Sequence, residues 1–223
     1  MVSIVTCTNK PLLMDNIFKN YSRQDWDNKE LIIILNRDDL EIKEWEQKAN
    51  EYSDVSVFQL PEKVTLGQCL NFAVNQAKYD IIAKFDDDDY YSPYYLAQAM
   101  QVFQDKQADI VGKSKIFTYF PMNKTLCIRK AGMLIGGGTI IFKKRVFETV
   151  QFPAKNTGED SNFLRNAKKN GFIIHSTNPY NYTYLRKDVN DHTWKVTEKK
   201  LLKKCSNLMK TDNYVPHVIQ APN

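Results

Sequence analysis

This 223-residue chain has no apolar run approaching the roughly 20 residues that span a bilayer, so nothing in it argues for a helical membrane span. Its start, Met1-Val2-Ser3-Ile4-Val5, lacks the basic n-region of a secretory leader, and the expected location is cytoplasmic. Cysteine is scarce: Cys7, Cys69, Cys127 and Cys205 lie far apart with no metal-type spacing, and are expected to be reduced packing residues. Glycine-rich phosphate loops are missing too. The first apolar run is followed by Thr8-Asn9-Lys10-Pro11 rather than G-x-G-x-x-G, which argues against a dinucleotide fold. Gly112-Lys113-Ser114 matches the end of a P-loop, but Gln107 stands where its first glycine belongs. There is no internal repeat and no low-complexity tract.

What is present is a chain with 43% hydrophobic residues, enough for a full core. Lys and Arg exceed Asp and Glu by 31 to 26, a mild excess that suits anionic ligands without requiring nucleic acid, and no nucleic-acid partner is expected. Val2 to Cys7, Glu30 to Leu35, Val55 to Gln59 and Tyr79 to Phe85 read as strands. Between them, helical stripes run over Leu12 to Tyr21, Ile42 to Tyr52 and Leu66 to Ala77. This βαβαβαβ order predicts an α/β fold: a mostly parallel sheet with helices on both faces and ligands at the carboxyl ends of the strands.

Ser92-Pro93 reads as the cap and first turn of the next helix. Beyond it, Lys113 to Phe120, Leu126 to Lys130 and Thr139 to Phe142 predict shorter strands in a mixed or antiparallel region. A helix follows from Glu159 to Asn170, stopped by Gly171, then a strand from Phe172 to Ser176. One domain is expected over residues 1–212, with halves 1–112 and 113–212, and a tail or linker over 213–223.

The most informative run is Asp86-Asp87-Asp88-Asp89, directly after the fourth strand. Two charges about 4 Å apart repel by roughly 4 kcal/mol at an effective dielectric near 20. Such a cluster at a buried strand end therefore implies neutralisation by donors or by a hard cation such as Mg²⁺ or Mn²⁺, which in turn suits phosphate chemistry. The competing readings are a solvated turn before a helix and a phosphatase with an aspartate nucleophile. The latter wants its Asp-x-Asp on the first strand, with Thr or Val where Tyr90 stands. Thr157-Gly158-Glu159-Asp160 approximates a capping box, with Thr157 as the cap; the alternative places an ionised carboxylate at a helix start, able to accept a proton. Gly136-Gly137-Gly138 is either a turn or a place where backbone approaches a ligand closely. His192 is either an ordinary surface residue or a ligand.

Together these residues resemble the family 2 glycosyltransferases of the GT-A fold, inverting enzymes that use nucleotide sugars. Val2 to Asn9 looks like that family's first strand and nucleotide-contacting loop, and Gln24-Asp25-Trp26 with Glu30 to Ile34 its second-strand segment. Leu66-Gly67 with Asn71 resembles the motif before its third helix. Asp86-Asp87-Asp88 falls at its D-x-D, Glu159-Asp160 at its E-D motif, and Tyr184-x-Arg186 with His192-Thr193-Trp194 resembles the ending of one bacterial subgroup. A further resemblance is to Bacillus-type glycosyltransferases of spore-surface maturation.

The resemblance implies a sugar transfer from a nucleoside diphosphate sugar, by default a UDP-sugar, to a glycan or other hydroxyl acceptor. It implies catalysis by Asp160 with Glu159, and Mn²⁺ or Mg²⁺ held by Asp86, Asp88 and His192. Nucleotide contacts would come from Thr6, Thr8, Asn9, Asn36, Lys63, Asn71, Asp86 and Asp87, and sugar or phosphate contacts from Gly136, Gly137, Gly138 and Arg186. Where the family commonly has two acids before a Gly-Ser turn, this chain has Leu35-Asn36-Arg37-Asp38, so Asn36 would meet the base through its amide.

Two other classes remain open on the residues: a sugar-phosphate nucleotidyltransferase, and a non-catalytic nucleotide- or glycan-binding protein. From Arg186 to Lys210 there are eight basic and three acidic residues. This segment is expected to form an amphipathic helix burying Leu201, Leu202, Cys205, Leu208 and Met209, with a peripheral membrane or homo-oligomer contact as its functional alternative.

Overall fold

The computed structural model describes residues 1–187 and 196–221. Its main sheet has seven strands in the order β10-β6-β9-β4-β1-β2-β3. Val2–Thr8 (β1) lies inside the sheet, parallel to Lys29–Leu35 (β2) on one side and to Ile81–Lys84 (β4), the central strand, on the other, and Val55–Gln59 (β3) extends β2 in parallel. Ile141–Lys143 (β9) is wedged antiparallel between β4 and Ile110–Lys113 (β6), and Ile174–Thr177 (β10) closes the edge parallel to β6.

Strand residues with no polar face follow from helices on both sides. Leu31, Ile33 and Leu35 pack with Met14–Ser22 (α1), Ile42–Ala49 (α2) and Tyr95–Asp105 (α4), while Ile32 and Ile34 pack with Leu66–Gln76 (α3), Lys144–Thr149 (α5) and Glu159–Lys169 (α6). Each fully buried Leu or Ile of these strands contributes about 1.5–3 kcal/mol.

A second sheet of five strands, in the order β12-β8-β7-β11-β5, stands beside the first. It contains Tyr90–Tyr91 (β5), Lys115–Phe120 (β7), Thr125–Lys130 (β8), Tyr182–Leu185 (β11) and Cys205–Lys210 (β12). Among the described residues the chain passes between the sheets five times; one passage is the aspartate turn between β4 and β5, and another is Ser114, which breaks the single strand expected over Lys113 to Phe120. The Ser114 amide is satisfied outside both ladders, by the Ser176 hydroxyl at 2.9 Å.

The expectation for the basic C-terminal segment is corrected. Its helix (α7) covers only Glu198–Leu202, and Cys205–Lys210 is a strand paired antiparallel with β8, with Leu208 and Met209 exposed. Strand pairing with a distant partner overrides the local helical spacing. The same pairing corrects the cysteine reading: Cys127 on β8 and Cys205 on β12 form a disulfide across 78 residues of sequence, and Cys7 and Cys69 are free. Residues beyond Asp212 include a short helix, Val215–Val218 (α8), whose Val218 is fully buried and whose carbonyl receives the Asn181 N–H at 2.7 Å. No helix among the described residues is long and apolar enough to cross a membrane.

The caps also shift. α3 starts with a true capping box, Thr65 with Gln68. Ser92 does not cap α4, which begins after Tyr94; its hydroxyl donates instead to Asn181 Oδ1 at 2.7 Å. α3 is held against the segment before α6 at Gly67, whose N–H donates to the Lys155 carbonyl at 3.1 Å. A Cβ at that position would lie 1.9 Å from the Pro153 carbonyl oxygen, a backbone atom that cannot swing away. Gly67→Ala is therefore expected to destabilise the fold by about 1–3 kcal/mol, read as a lower urea midpoint with an unchanged slope.

Candidate active site

The aspartate turn is built so that successive carboxylates face opposite ways. Asp87 and Asp89 are buried at 8% and 0% exposure, whereas Asp86 and Asp88 are partly open. Asp87 accepts from the Thr8 hydroxyl at 2.6 Å, and Asp89 accepts from the Tyr182 hydroxyl and from the Leu185 N–H at 3.1 Å. Burial and the neighbouring Asp88 charge push the Asp87 carboxyl up to about 6, and burial holds Asp89 well above the usual carboxylate range. These two acids are structural anchors of the turn.

The backbone of the turn is pinned from α1. Asn16 donates its amide to the carbonyls of Asp87 (2.7 Å) and Asp89 (3.0 Å), while Asn20 donates to Asp89 (2.9 Å) and accepts the Tyr91 N–H (3.2 Å). Four residues apart, they share one face of the helix. The Tyr91 hydroxyl accepts the Asp86 N–H at 2.7 Å and donates to the Gly138 carbonyl at 2.6 Å, bolting the turn to the glycine run.

That run enters a short 3-10 turn, Gly137–Thr139, leading into β9. Its glycines are required by close approach: a Cβ on Gly137 would lie 2.1 Å from Asp160 Oδ2, and one on Gly138 would lie 2.7 Å from Asp86 Oδ2. The run therefore separates two carboxylates that are 74 positions apart in sequence and adjacent in space. Gly136 lies one step back, donating its N–H to the Lys113 carbonyl at 2.9 Å.

Asp160 arrives from the first turn of α6. Thr157 does not cap that helix; the cap is Gly158 at φ 76°, so the capping-box reading fails and both acids are left to the site. Lys84, the last residue of β4, places its ammonium 2.5 Å from Asp86 Oδ1 and 3.2 Å from Asp160 Oδ2, with the Gly137 carbonyl at 3.4 Å. Burial raises the Asp160 carboxyl and Lys84 opposes that rise; Lys84 itself is held above its ordinary value by Asp160 and Asp86, against its burial. Asp160 Oδ1 and Glu159 Oε2 are buried, and neither has a hydrogen-bond partner among the described residues.

A second cation, Lys10, reaches over the turn to Asp88 Oδ2 at 3.1 Å and Asp87 Oδ1 at 3.6 Å. Lys10 also lines an open cleft of about 490 Å³, together with Asn9, Arg37, Asp38, Asp39 and Glu62. Arg37 donates to the Asn9 carbonyl at 3.4 Å, joining the loop after β1 to the loop after β2.

The other sequence-predicted residues divide. Asn9 lies in the cleft, Asn36 adjoins it, and Lys63 is exposed next to the cleft residue Glu62. The Asn36 amide donates to the Pro61 carbonyl at 2.9 Å, so its donor is engaged in joining two loops. Asn71 is not part of the site: both ends of its amide are used by the Phe152 main chain, at 2.9 and 3.0 Å. Thr6 is buried within β1 at 1% exposure. Arg186 is also buried, donating to the Tyr184 hydroxyl at 2.8 Å and to the Val196 carbonyl, which makes it a brace of the second sheet. His192 lies outside the described residues.

Lys84, Lys10, Tyr91, Asn16 and Asn20 were not singled out from sequence. A signal existed for three of them: Lys84 interrupts an apolar strand two residues before the acids, and asparagines four apart, Asn16 and Asn20, are unusual inside a short helix. Among the described residues, no group of three or more His, Cys, Asp or Glu is disposed to hold a metal. Asp86 and Asp88 supply hard carboxylate oxygens on the open side of the turn, and this fits Mg²⁺ or Mn²⁺, which is commonly bound by one or two carboxylates plus substrate phosphates.

Glu159 gives a test of this electrostatic description. Burial first, then the Asp160 charge, push its carboxyl from 4.5 to about 7. As pH rises from about 4.5 to 7, the unfolded chain loses this proton while the folded chain keeps it, so the group costs stability progressively and fully above 7. Glu159→Gln should match the wild-type melting temperature near pH 4.5 and exceed it above pH 7, by an amount corresponding to about 1–2 kcal/mol.

Comparison with known proteins places this geometry. No curated protein sequence matches the chain. Among solved structures, S. aureus TarS 1-349 superposes with a TM-score of 0.65 at 19% identity, covering 82% of this chain and 60% of that one. The same fragment in complex with UDP-GlcNAc gives 0.66 at 19%, covering 84% and 59%. The mannosyltransferase PcManGT from Pyrobaculum calidifontis, in complex with GDP-Man and Mn²⁺, gives 0.64 at 17%, covering 83% and 56%. This chain thus spans about 60% of the length of those structures and shares their mixed α/β fold, as the resemblance predicted. The sequence pattern described as glycosyl transferase family 2 matches residues 3–124, which is β1 through the aspartate turn and on through β7 to the turn before β8. That match covers more than half of the chain, which belongs to glycosyl transferase family 2.

Proposed function

We propose that this chain transfers a sugar from a nucleoside diphosphate sugar to a hydroxyl acceptor, with inversion and with help from a divalent cation. The observation that carries this reading is the placement of Asp86 and Asp160 on either side of Gly137-Gly138, one just past a strand end and the other at a helix start. The family assignment supports sugar transfer, and the neighbours bound to UDP-GlcNAc and GDP-Man support a nucleotide-sugar donor.

In this reading the nucleoside lies in the cleft bordered by Asn9, Arg37 and Glu62, with Asn36 and Lys63 adjacent. The diphosphate is directed to the open side of the turn, where Asp86 and Asp88 would hold Mn²⁺ or Mg²⁺, with His192 as a further candidate ligand. When bound, that cation neutralises charge developing on the departing nucleoside diphosphate. Lys10 stands within reach of the same phosphates. Asp160 takes the proton from the acceptor hydroxyl as it attacks the anomeric carbon, and the glycine run keeps the sugar's approach free of side chains. UDP is the default nucleotide, and cell- or spore-surface polysaccharide in a cytoplasmic synthesis is the proposed setting. The exposed basic residues around β12 are a proposed contact for a membrane surface or a second copy.

Thermal shift with UDP and GDP, each with and without Mn²⁺, tests the donor reading, with stabilisation expected only when nucleotide and cation are both present. Asp88→Asn should lose that cation-dependent shift. Asp160→Asn should keep it while sugar transfer falls about 10²- to 10⁴-fold, and unchanged turnover would remove Asp160 as the base. Gly137→Ala drives a methyl into Asp160 Oδ2 and should reduce turnover about tenfold or more with nucleotide affinity retained.

A further inference from the structure

Lys84 is 3% exposed, and each of its three N–H bonds has an acceptor from a different segment: Asp86 Oδ1 at the aspartate turn, Asp160 Oδ2 at the start of α6, and the Gly137 carbonyl in the glycine run. These three segments are the ones that carry the reaction proposed above. A buried ion pair is no more stable on average than well-packed apolar side chains, so packing alone does not account for an ammonium at this position.

Among the described residues the other buried lysine, Lys113, provides the contrast. Its acceptors are Gln98 Oε1 at 2.6 Å, Thr177 Oγ1 at 2.8 Å and the Asn178 carbonyl at 2.9 Å, none of them charged and none in the site. Lys113 braces α4 against β10. Lys84 joins two carboxylates assigned to opposite halves of one reaction.

We propose, resting on the reaction just described, that Lys84 is the positioning residue of the transfer step: a single buried ammonium fixes the proton-accepting carboxylate of Asp160 at a set offset from the donor-side carboxylate of Asp86. Without it, Asp86, Glu159 and Asp160 share a confined volume with no cation between them, and their repulsion moves Asp160 off the glycine run. Misplacement by about 1 Å is enough to cost on the order of 10²-fold in turnover. The nucleotide's own contacts, in the cleft around Asn9 and Arg37, are left in place.

The test compares wild type, Lys84→Met, Lys84→Cys, and Lys84→Cys alkylated with bromoethylamine, which rebuilds a lysine-like ammonium; bromoethylamine-treated wild type is the control. UDP and GDP with Mn²⁺ serve as binding probes, and UDP-GlcNAc and GDP-mannose as turnover probes. Lys84→Met and Lys84→Cys should lose about 10²-fold in kcat with nucleotide Kd changed by less than about threefold, and the aminoethylated protein should recover most of the loss. Unchanged kcat, a loss confined to nucleotide binding, or no recovery on aminoethylation would overturn the proposal.

A second measurement separates this failure from failure of the proposed function. Lys84→Met should lower the melting temperature, and adding Asp160→Asn in that background should restore much of it, because the surplus buried charge is removed. No restoration overturns the bridge whatever the donor is. A wild type that binds and turns over none of the probes, but shows the restoration, leaves the bridge standing and overturns the reaction, and with it the part of Lys84 in transfer.

Discussion

Like charges held in one turn are the constraint around which this structure is organised. Four consecutive carboxylates repel, and no single arrangement of water-exposed side chains could keep them at a strand end beneath two sheets. The fold resolves the problem by alternation. Asp87 and Asp89 turn inward, to the Thr8 hydroxyl and to Tyr182 and the Leu185 amide, while Asp86 and Asp88 stay partly open and are met by Lys84 and Lys10. The two inward acids anchor the chain crossing from the main sheet to the second. Of the two outward acids, Asp86 is held by the enclosed Lys84, whereas the partner of Asp88 is the part-exposed Lys10, which an incoming ligand can displace.

The antiparallel strand in an otherwise parallel sheet has its reason here. β9 runs against both β4 and β6, so the segment feeding it, Gly136 to Thr139, is delivered to the carboxyl end of β4, next to the aspartate turn. A parallel strand in that place would present its own carboxyl end and a connecting loop there. The reversed strand presents instead a tight turn of residues without side chains, bolted to Tyr91, and this thinness lets α6 bring Asp160 within reach of Lys84. The glycine run thus removes side chains that would keep the acids of α6 away from β4, while Gly158 supplies the positive φ from which α6 starts.

How much of this was legible depended on the range of the interaction involved. The main-sheet strands through β4 and helices α1 to α3 could be read because each is long, periodic and stabilised by its own neighbours, and the acids at 86–89 and 159–160 could be named because carboxylate clusters are costly without a purpose. What failed was what depends on distant pairing. Cys205 to Lys210 carries a helical spacing, yet pairs with β8 and is tied to it at Cys127, and nothing within either segment announces the other. Asn71 has the chemistry of a ligand contact, but the Phe152 main chain takes both ends of its amide. Arg186, plausible as a phosphate clamp, is taken up by Tyr184 and Val196. Lys84 went unread for the opposite reason: a lone lysine at the end of a strand looks like a solvated terminus until the two carboxylates beside it are seen.

The two lysines that serve the aspartates are not interchangeable, and the difference orders the site. Lys10 is about one third exposed, sits on the loop after β1, and spans Asp87 and Asp88 at 3.6 and 3.1 Å, distances of a pair that solvent and an incoming anion can reorganise cheaply. Lys84 rises from the sheet itself, is almost wholly enclosed, and cannot leave its carboxylates without leaving a buried charge unpaired, which is among the costliest changes a protein interior can undergo. An anionic ligand entering from the cleft therefore meets a cation that can turn toward it at Lys10, and behind it a cation that stays with Asp86 and Asp160 at Lys84. The same four aspartates can in this way be open to a ligand on one side and rigid on the other. Rigidity is the property required of a carboxylate that must stand at a fixed distance from a reacting hydroxyl, and only the enclosed lysine supplies it.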